Sequence, residues 1–462
     1  MIRLHTLLTG QGLFSRALRG SMLTVGSYAF SQALRLGSNL ILTRLLFPEA
    51  FGLMALLNVV LVGLAMFSDV GVGPAIAQHP RGDDPAFLDT AFTINVVRGA
   101  ILCVMAGVLG RPLSVLYDAP DLALLLPVAG LSLLAAGFNP TRIDTANRHL
   151  LLGRVTLLDL ISQGIGIGAM VGFAAIWPSV WALVAGFVIG AVAKPLIMGR
   201  FLPGRRNRLA WEPSAGRALI HFGKWIFLST ACGFVISQGD KAILGAYLTL
   251  EALGVYNIGY FLASFPILLG GAVVQRIMIP IYRDRHPAAS VGNARRLRRL
   301  RVLMTAGILA LLSALALFGQ PLVDLLYDAR YHGAGGILVV VALVQMPMAL
   351  GMTYDQSALA AGDSRRYFAV MALRAAAQTA AFVIGVEVAG LAGALIGLGV
   401  AAVVLHLVIV GLARRYQVWD AAHDLGFALV ICAVAAAALT LNAQILATLP
   451  HESALPPAAP SN

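Results

Sequence analysis

Leu46-Phe47-Pro48-Glu49-Ala50-Phe51-Gly52-Leu53 returns 202 residues later as Leu248-Thr249-Leu250-Glu251-Ala252-Leu253-Gly254-Val255. Both copies read L-x-x-E-A, then an aromatic or Leu, then G-aliphatic, and both sit between long apolar runs. Pro112-Leu113 through Leu116-Tyr117-Asp118-Ala119 likewise matches Pro321-Leu322 through Leu326-Tyr327-Asp328-Ala329. Gly73-x-Ala75-x-x-Gln78 echoes Gly270-x-Ala272-x-x-Gln275. Three matches in one order, with drifting offsets, indicate an old duplication with a period of roughly 200 residues. Glu-Ala-x-Gly and Tyr-Asp-Ala are not typical of lipid-facing sequence, which counts against chance similarity of apolar runs.

The composition says what is duplicated. Of 462 residues, 59% are hydrophobic and 12% charged, against about 25% charged in a soluble domain. Mean hydropathy is +0.84. Too few polar groups exist to cover a water-exposed surface of this size, so a soluble enzyme is excluded. Roughly 273 apolar residues, at about 20 per spanning helix, bound the count near 13. Along the chain, spans are expected at about 22–44, 51–78, 90–110, 122–141, 151–175, 179–199, 221–248, 253–279, 302–326, 336–360, 367–387, 391–411 and 426–448. A hairpin in the last segment would make 14. The expected fold class is therefore an all-α integral membrane protein of about 13 (12–14) helices, in two six-helix lobes. Residues 1–21 are expected as a cytoplasmic interfacial segment, 22–205 as the N-lobe and 206–415 as the C-lobe. Residues 416–462 would hold an extra span and a short periplasmic tail. Six spans is an even number, so both copies enter the membrane in the same sense. Parallel repeats of this kind place a cavity between them and suit alternating access.

Charge supports the same topology. Net charge is +12, and 30 of the 33 basic residues are Arg. With the N-terminus inside, 23 arginines fall at inner ends and loops, and only Arg44, Arg111 and Arg330 fall outside. That asymmetry is what orients multi-span proteins, with basic loops kept on the cytoplasmic side, and it brings anionic lipid to the inner loops. The run Arg295 to Arg301 is then a solvated inner loop and not a nucleic-acid patch. Cys103, Cys232 and Cys432 lie far apart in apolar runs, with no disulfide or metal spacing. No cofactor motif is present: Gly164-Ile165-Gly166-Ile167-Gly168 has no preceding strand and is expected to pack helices.

Ionisable groups inside spans cost about 2.5–3.5 kcal/mol each on insertion scales, and mark interiors or wet cavities. Arg35, Arg98 and Arg374 lie at such depths. Guanidinium stays charged and offers a planar fork for phosphate oxygens. With Lys241 they are the candidate cations for an anionic head group. The alternative is structural pairing, of Arg35 with Asp69 or of Arg98 with Asp159. Asp240 and Lys241 point about 100° apart on a helix and need not pair. Asp69, at the Gly71/Pro74 bend, Asp159 and Asp240 are the candidates for ion coupling. His406 is expected as a packed histidine, and Lys194 as an interface anchor.

Arg35 to Gly52 (RLGSNLILTRLLFPEAFG), Ser68-Asp69-x-Gly71, and Gln238-Gly239-Asp240-Lys241-Ala242-Ile243-Leu244-Gly245 leading to Leu253-Gly254-Val255-Tyr256 resemble the polysaccharide transport (PST), or O-antigen flippase, family. That family belongs to the multidrug/oligosaccharidyl-lipid/polysaccharide (MOP) exporter superfamily, and the resemblance covers most of residues 20–415. It implies a flippase for an undecaprenyl-diphosphate-linked oligosaccharide, an O-antigen or exopolysaccharide repeat unit. It further implies a cationic cavity, coupling to an ion gradient, and partnership with polysaccharide polymerase or export machinery. A drug exporter of the same superfamily is the nearest rival and would favour acidic cavity residues. A membrane-embedded sugar polymerase or ligase would need a sizeable outside loop, and none exceeds about a dozen residues.

Overall fold

The computed structural model describes residues 13–149, 151–284 and 287–446. Among them there are helices and turns but no strand. The helices are α1 (Leu13–Leu45), α2 (Pro48–Phe67), α3 (Val72–Gln78), α4 (Pro85–Leu116), α5 (Leu122–Gly137), α6 (Arg142–Arg148) and α7 (Leu152–Ile176). There follow α8 (Val180–Phe201), α9 (Pro213–Tyr247), α10 (Leu250–Asp284), α11 (Val291–Leu326), α12 (Ala334–Ala360), α13 (Ser364–Arg415), α14 (Ala421–Leu441) and α15 (Ala443–Leu446). Of the expected interfacial segment, residues 1–12 lie outside the described residues, as does the tail from 447 onward.

Nine described helices are long and apolar enough to cross a membrane, or ten when the bent pair α5–α6 counts as one. The 52-residue α13 is two helices: Ala389 and Gly390 leave helical geometry, Gly390 at φ 56°. The halves fold back on one another. A Cβ on Gly385 would stand 2.2 Å from the carbonyl oxygen of Gly393, and one on Gly397 2.2 Å from that of Ala381. Those pairs are symmetric about Ala389, as an antiparallel hairpin requires. Val108, Leu407 and Leu429 are 68, 67 and 73% exposed, a surface that suits lipid and not water.

The chain forms two compact units, one of residues up to Leu46 with Leu53–Phe234, the other Phe47–Gly52 with Val235 onward. The expected boundary at 205/206 falls in a strap, residues 203–212, whose contacts are with the first unit. Buried Asp89 takes the Arg205 guanidinium at 2.8 Å and the Arg208 amide at 3.1 Å. Thr90 and Thr93 hydroxyls accept from the amides of Glu212 and Ala210, both at 3.0 Å. Arg81 bridges Glu212, at 2.6 Å, and Asp84, at 2.5 Å. The Arg81 guanidinium holds the Glu212 carboxyl down to about 2 and Asp84 below the usual carboxylate range. A depressed carboxyl stabilises above its unfolded pKa, about 4.3 for Glu, and loses that contribution as pH falls toward the folded value. The strap should therefore stay fastened from neutral pH to about pH 5 and loosen below it, whereas Glu212→Gln should loosen it at neutral pH. Hydrogen exchange at the Ala210 and Glu212 amides, corrected for intrinsic pH dependence, reads this directly. Equal protection of E212Q and the parent at pH 7 would refute it.

The first unit also contains a broken second span. Asp69 accepts the Gly71 amide at 2.8 Å, Gly71 sits at φ 62°, and Pro74 brings no N–H. Together these end α2 and restart the chain as α3. Arg148 on α6 then donates to the carbonyls of Ile76 (2.7 Å) and His79 (2.8 Å), closing the free end of α3. The corresponding stretch of the second copy, Gly270 to Gln275, lacks the Asp and Pro and runs unbroken inside α10. Between α7 and α8, Gly166 meets Gly190 backbone to backbone, a Cβ on the former lying 3.0 Å from the latter's Cα. This is the small-residue packing expected of that glycine run.

In the second unit the two copies of the duplicated motif meet each other. A Cβ on Gly52 would lie 2.0 Å from the Leu250 oxygen, and one on Gly254 2.0 Å from the Pro48 oxygen. The contact is reciprocal: each motif's glycine faces the other motif's backbone. Arg330 lies 5.1 Å over the Phe47 ring, and Tyr331 meets Phe51 edge-on at 6.0 Å.

Candidate functional site

The second unit gathers a polar cluster inside an apolar bundle. Tyr256, Tyr260 and Ser264 recur at every fourth residue of α10, so they form one stripe. Buried Asp240, on α9, accepts from the Tyr256 hydroxyl at 2.7 Å. Its other oxygen, Oδ1, is buried without a hydrogen-bond partner among the described residues. Lys241 curls back so that Nζ lies 3.7 Å from Asp240 Oδ2 and 4.3 Å over the Tyr260 ring. The two neighbours approach although their Cα directions differ, because a four-carbon stem reaches round and Tyr260 fixes where it ends.

A second cation, Arg374, lies on α13. Its guanidinium donates to Met348 Sδ at 3.4 Å and lies in electrostatic reach of Tyr260 and Asp355. Gln378, one turn further along α13, donates to the Ile236 carbonyl at 3.3 Å and ties that helix to α9. Gln345 of α12 reaches Ser264 Oγ at 3.4 Å. Lys241, over Tyr260 and beside Asp240, and Arg374, on a separate helix, are thus two cations of the same unit. Positive groups with amide and hydroxyl donors in one unit suit an anion with several oxygens.

The first unit presents a second polar edge. Ser31 donates to Gln163 Oε1 at 2.6 Å, joining α1 to α7. Arg35 is one turn beyond Ser31, exposed, with its guanidinium bonded to none of the described residues. Asp159, one turn from Gln163, pairs with Lys194 Nζ at 2.5 Å. The pairings weighed from sequence, Arg35 with Asp69 and Arg98 with Asp159, do not form. Arg98 Nε instead donates to Ser68 Oγ at 2.9 Å, and NH2 to the Ala65 carbonyl, at the end of α2. Lys194 is an ion-pair partner as well as an end-of-helix cation. His406 packs as expected but lies 3.5 Å from Asp424.

Residues 41–335 match a family described as polysaccharide biosynthesis protein. Among curated relatives, the lipopolysaccharide biosynthesis protein WzxC of Escherichia coli (strain K12) is 20% identical over 77% of this chain and 72% of its own. The succinoglycan biosynthesis transport protein ExoT of Rhizobium meliloti (strain 1021) is 23% identical over 75% of this chain and 69% of its own. Among solved structures, the lipid II flippase MurJ in an inward closed conformation superimposes with TM-score 0.69 at 13% identity, covering 94% of each chain. An inward-facing multidrug resistance MATE family transporter of the MOP superfamily gives 0.60 at 14% identity, covering 94% of this chain and 98% of that one. These likenesses establish a MurJ/MATE-like helical membrane fold.

Proposed function

The chain belongs to the polysaccharide biosynthesis protein family, and from that premise we propose that it is a flippase moving an undecaprenyl-diphosphate-linked oligosaccharide across the bacterial inner membrane by alternating access. The N-terminus is cytoplasmic in this reading, and the cargo is an O-antigen or exopolysaccharide repeat unit. No bond is made or broken, so no catalytic group is needed. Polysaccharide polymerase or export machinery would take the delivered unit, and anionic lipid would neutralise the inner arginines.

The observation that carries the reading is Lys241 held 4.3 Å over the Tyr260 ring and beside Asp240 within an apolar unit that also holds the cation Arg374. A diphosphate has the oxygens to engage both. In the first unit Arg35, exposed and bonded to none of the described residues, is that unit's candidate contact for phosphate or an acidic sugar. Arg98 keeps donors beyond the two that close α2, and is the fourth. For ion coupling, Asp240 is favoured over Asp69 and Asp159. Asp69 is committed to the Gly71 amide and Asp159 to Lys194, while Asp240 keeps a buried oxygen with no partner among the described residues.

Deletion in the host tests the reading. Undecaprenyl-linked repeat units should accumulate on the inner leaflet while surface glycan falls, both measured by mass spectrometry and labelling. Unchanged surface glycan with no retained intermediate would overturn it.

A further inference from the structure

We propose that a polar edge of the first unit, carried by α1, α7 and α8, is a subsite for the sugar end of the cargo, with Asp159 and Lys194 as its acceptor and donor. The cargo is that of the flippase reading above, on which this inference rests; the edge names the part of it that the first unit takes.

Two short contacts build the edge. Ser31 Oγ donates to Gln163 Oε1 at 2.6 Å, and Gln163 Nε2 returns to the Ser31 carbonyl at 3.3 Å, so α1 and α7 are clasped there. Lys194 Nζ lies 2.5 Å from Asp159 Oδ1, joining α8 to α7. Glycines hold that second pair of helices close. A Cβ on Gly190 would stand 3.1 Å from Gly166 Cα, and one on Gly186 2.5 Å from the Met170 nitrogen. Helices that meet by backbone cannot slide without losing that packing, so Asp159 and Lys194 keep their separation.

Helical spacing extends the edge. Tyr28, Ser31 and Arg35 are three and four residues apart and form one stripe of α1; Asp159 and Gln163 are one turn apart on α7. As the first and fifth of the expected spans, α1 and α7 run in the same sense. From the Ser31–Gln163 clasp, Arg35 is then one turn toward the outer end and Asp159 one turn toward the inner end. Two turns, about 11 Å, separate them along the helices, the reach of a short run of sugars and not of a single phosphate. All these residues lie inside spans, yet Arg35 is exposed, and the Asp159 and Lys194 side chains are 49% and 39% exposed. Charge facing hydrocarbon is costly, so this face is a wetted one.

The mixture of donors and acceptors selects the ligand. A diphosphate carries acceptors alone, and the Asp159 carboxylate repels it. A sugar hydroxyl both donates and accepts, and is satisfied only where both kinds of partner stand together. Here Asp159, Ser31 and the Gln163 oxygen accept, while Lys194, Arg35 and the Gln163 amide donate. The Lys194 ammonium has three N–H groups and spends one on Asp159. A half-exposed ion pair is weakly held, so a hydroxyl can enter between its members. Tyr28 brings to the same stripe a ring against which the C–H face of a sugar packs. Asp159 is thereby a ligand for cargo and not for a coupling ion.

The chain has three lysines, Lys194, Lys224 and Lys241, which makes each of them readable. The full chain in lipid nanodiscs is reductively methylated with carbon-13 formaldehyde, and the Lys194 methyl signals are identified by their absence from Lys194→Arg. The probes are the host's surface glycan hydrolysed to its repeat unit, and inorganic pyrophosphate. The repeat unit should shift the Lys194 signals saturably and leave those of Lys241 in place, and the shift should be lost in Asp159→Asn. Lys194 signals that stay still, or that move with pyrophosphate alone, overturn the proposal. In proteoliposomes, Asp159→Asn and Gln163→Ala should slow a polyprenyl diphosphate bearing the full repeat unit about tenfold, the effect of one lost hydrogen bond to a charged group, and slow the same carrier bearing only its first sugar much less. Equal slowing of both overturns the subsite. A parent that moves neither carrier overturns the flippase reading instead, and the lysine spectra still judge the edge.

Discussion

Replacing Lys241 and Arg374 together with glutamine should reduce translocation of a diphosphate-linked oligosaccharide at least about tenfold, with protein abundance unchanged. Each charge-assisted hydrogen bond to phosphate contributes roughly 1.5–3 kcal/mol, and a factor of ten needs only about 1.4 kcal/mol. Lys241 lies over Tyr260 and Arg374 belongs to the same unit, so the double variant removes both of that unit's candidate cations. Lys241→Arg should retain more transport than Lys241→Gln, because charge survives. Arg374→Lys should fall between parent and Arg374→Gln, because a point charge replaces a bidentate fork. Asp240 and Asp355 lose their counter-charges in the double variant, so its thermal midpoint in nanodiscs belongs beside the transport assay. Parent-level flux in proteoliposomes from a folded double-glutamine protein would remove the cation site from the mechanism.

The positions of the helices and the duplication were legible because they depend on runs and periods, which survive without neighbours. The site was legible only in part, and the gaps have particular causes. Arg98 was weighed against carboxylates, whereas its partners are a serine and a carbonyl released where α2 ends; free carbonyls carry no letter in the sequence. Arg301 sits in a run of arginines and reads as loop, yet it is 2% exposed. The signal was present in Leu297, Arg301 and Thr305, a buried four-residue repeat inside α11. Tyr256, Tyr260 and Ser264 were similarly available as a period-four polar stripe, masked because tyrosines inside membrane helices read as apolar bulk. His423 and Asp424 lie just before the expected last span and look like its polar lead-in. Their meeting with His406 and Tyr354 joins residues roughly 20 to 70 apart in sequence, and no local pattern announces it.

The duplicated motif makes the second large prediction. Gly52→Ala and Gly254→Ala should each destabilise the second unit by about 1–3 kcal/mol, the usual cost of forcing atoms into a packed contact. Each added methyl would stand 2.0 Å from a backbone oxygen, Leu250 for one and Pro48 for the other. Backbone cannot rotate aside as a side-chain end does, so the segments must part. Because the contact is reciprocal, parting them for one methyl makes room for the other. The double variant should therefore cost clearly less than the two singles added, with a coupling of at least about 0.5 kcal/mol. Gly411, whose Cβ would meet nothing within 4 Å, provides the control: Gly411→Ala should be neutral or slightly stabilising in its helix, through lower backbone entropy in the unfolded chain. Denaturation in mixed micelles, monitored for the parent, both singles and the double, completes the cycle. Strict additivity would mean that the two glycines meet their neighbours independently, and that the 46–53 and 248–255 segments do not act as a symmetric pair.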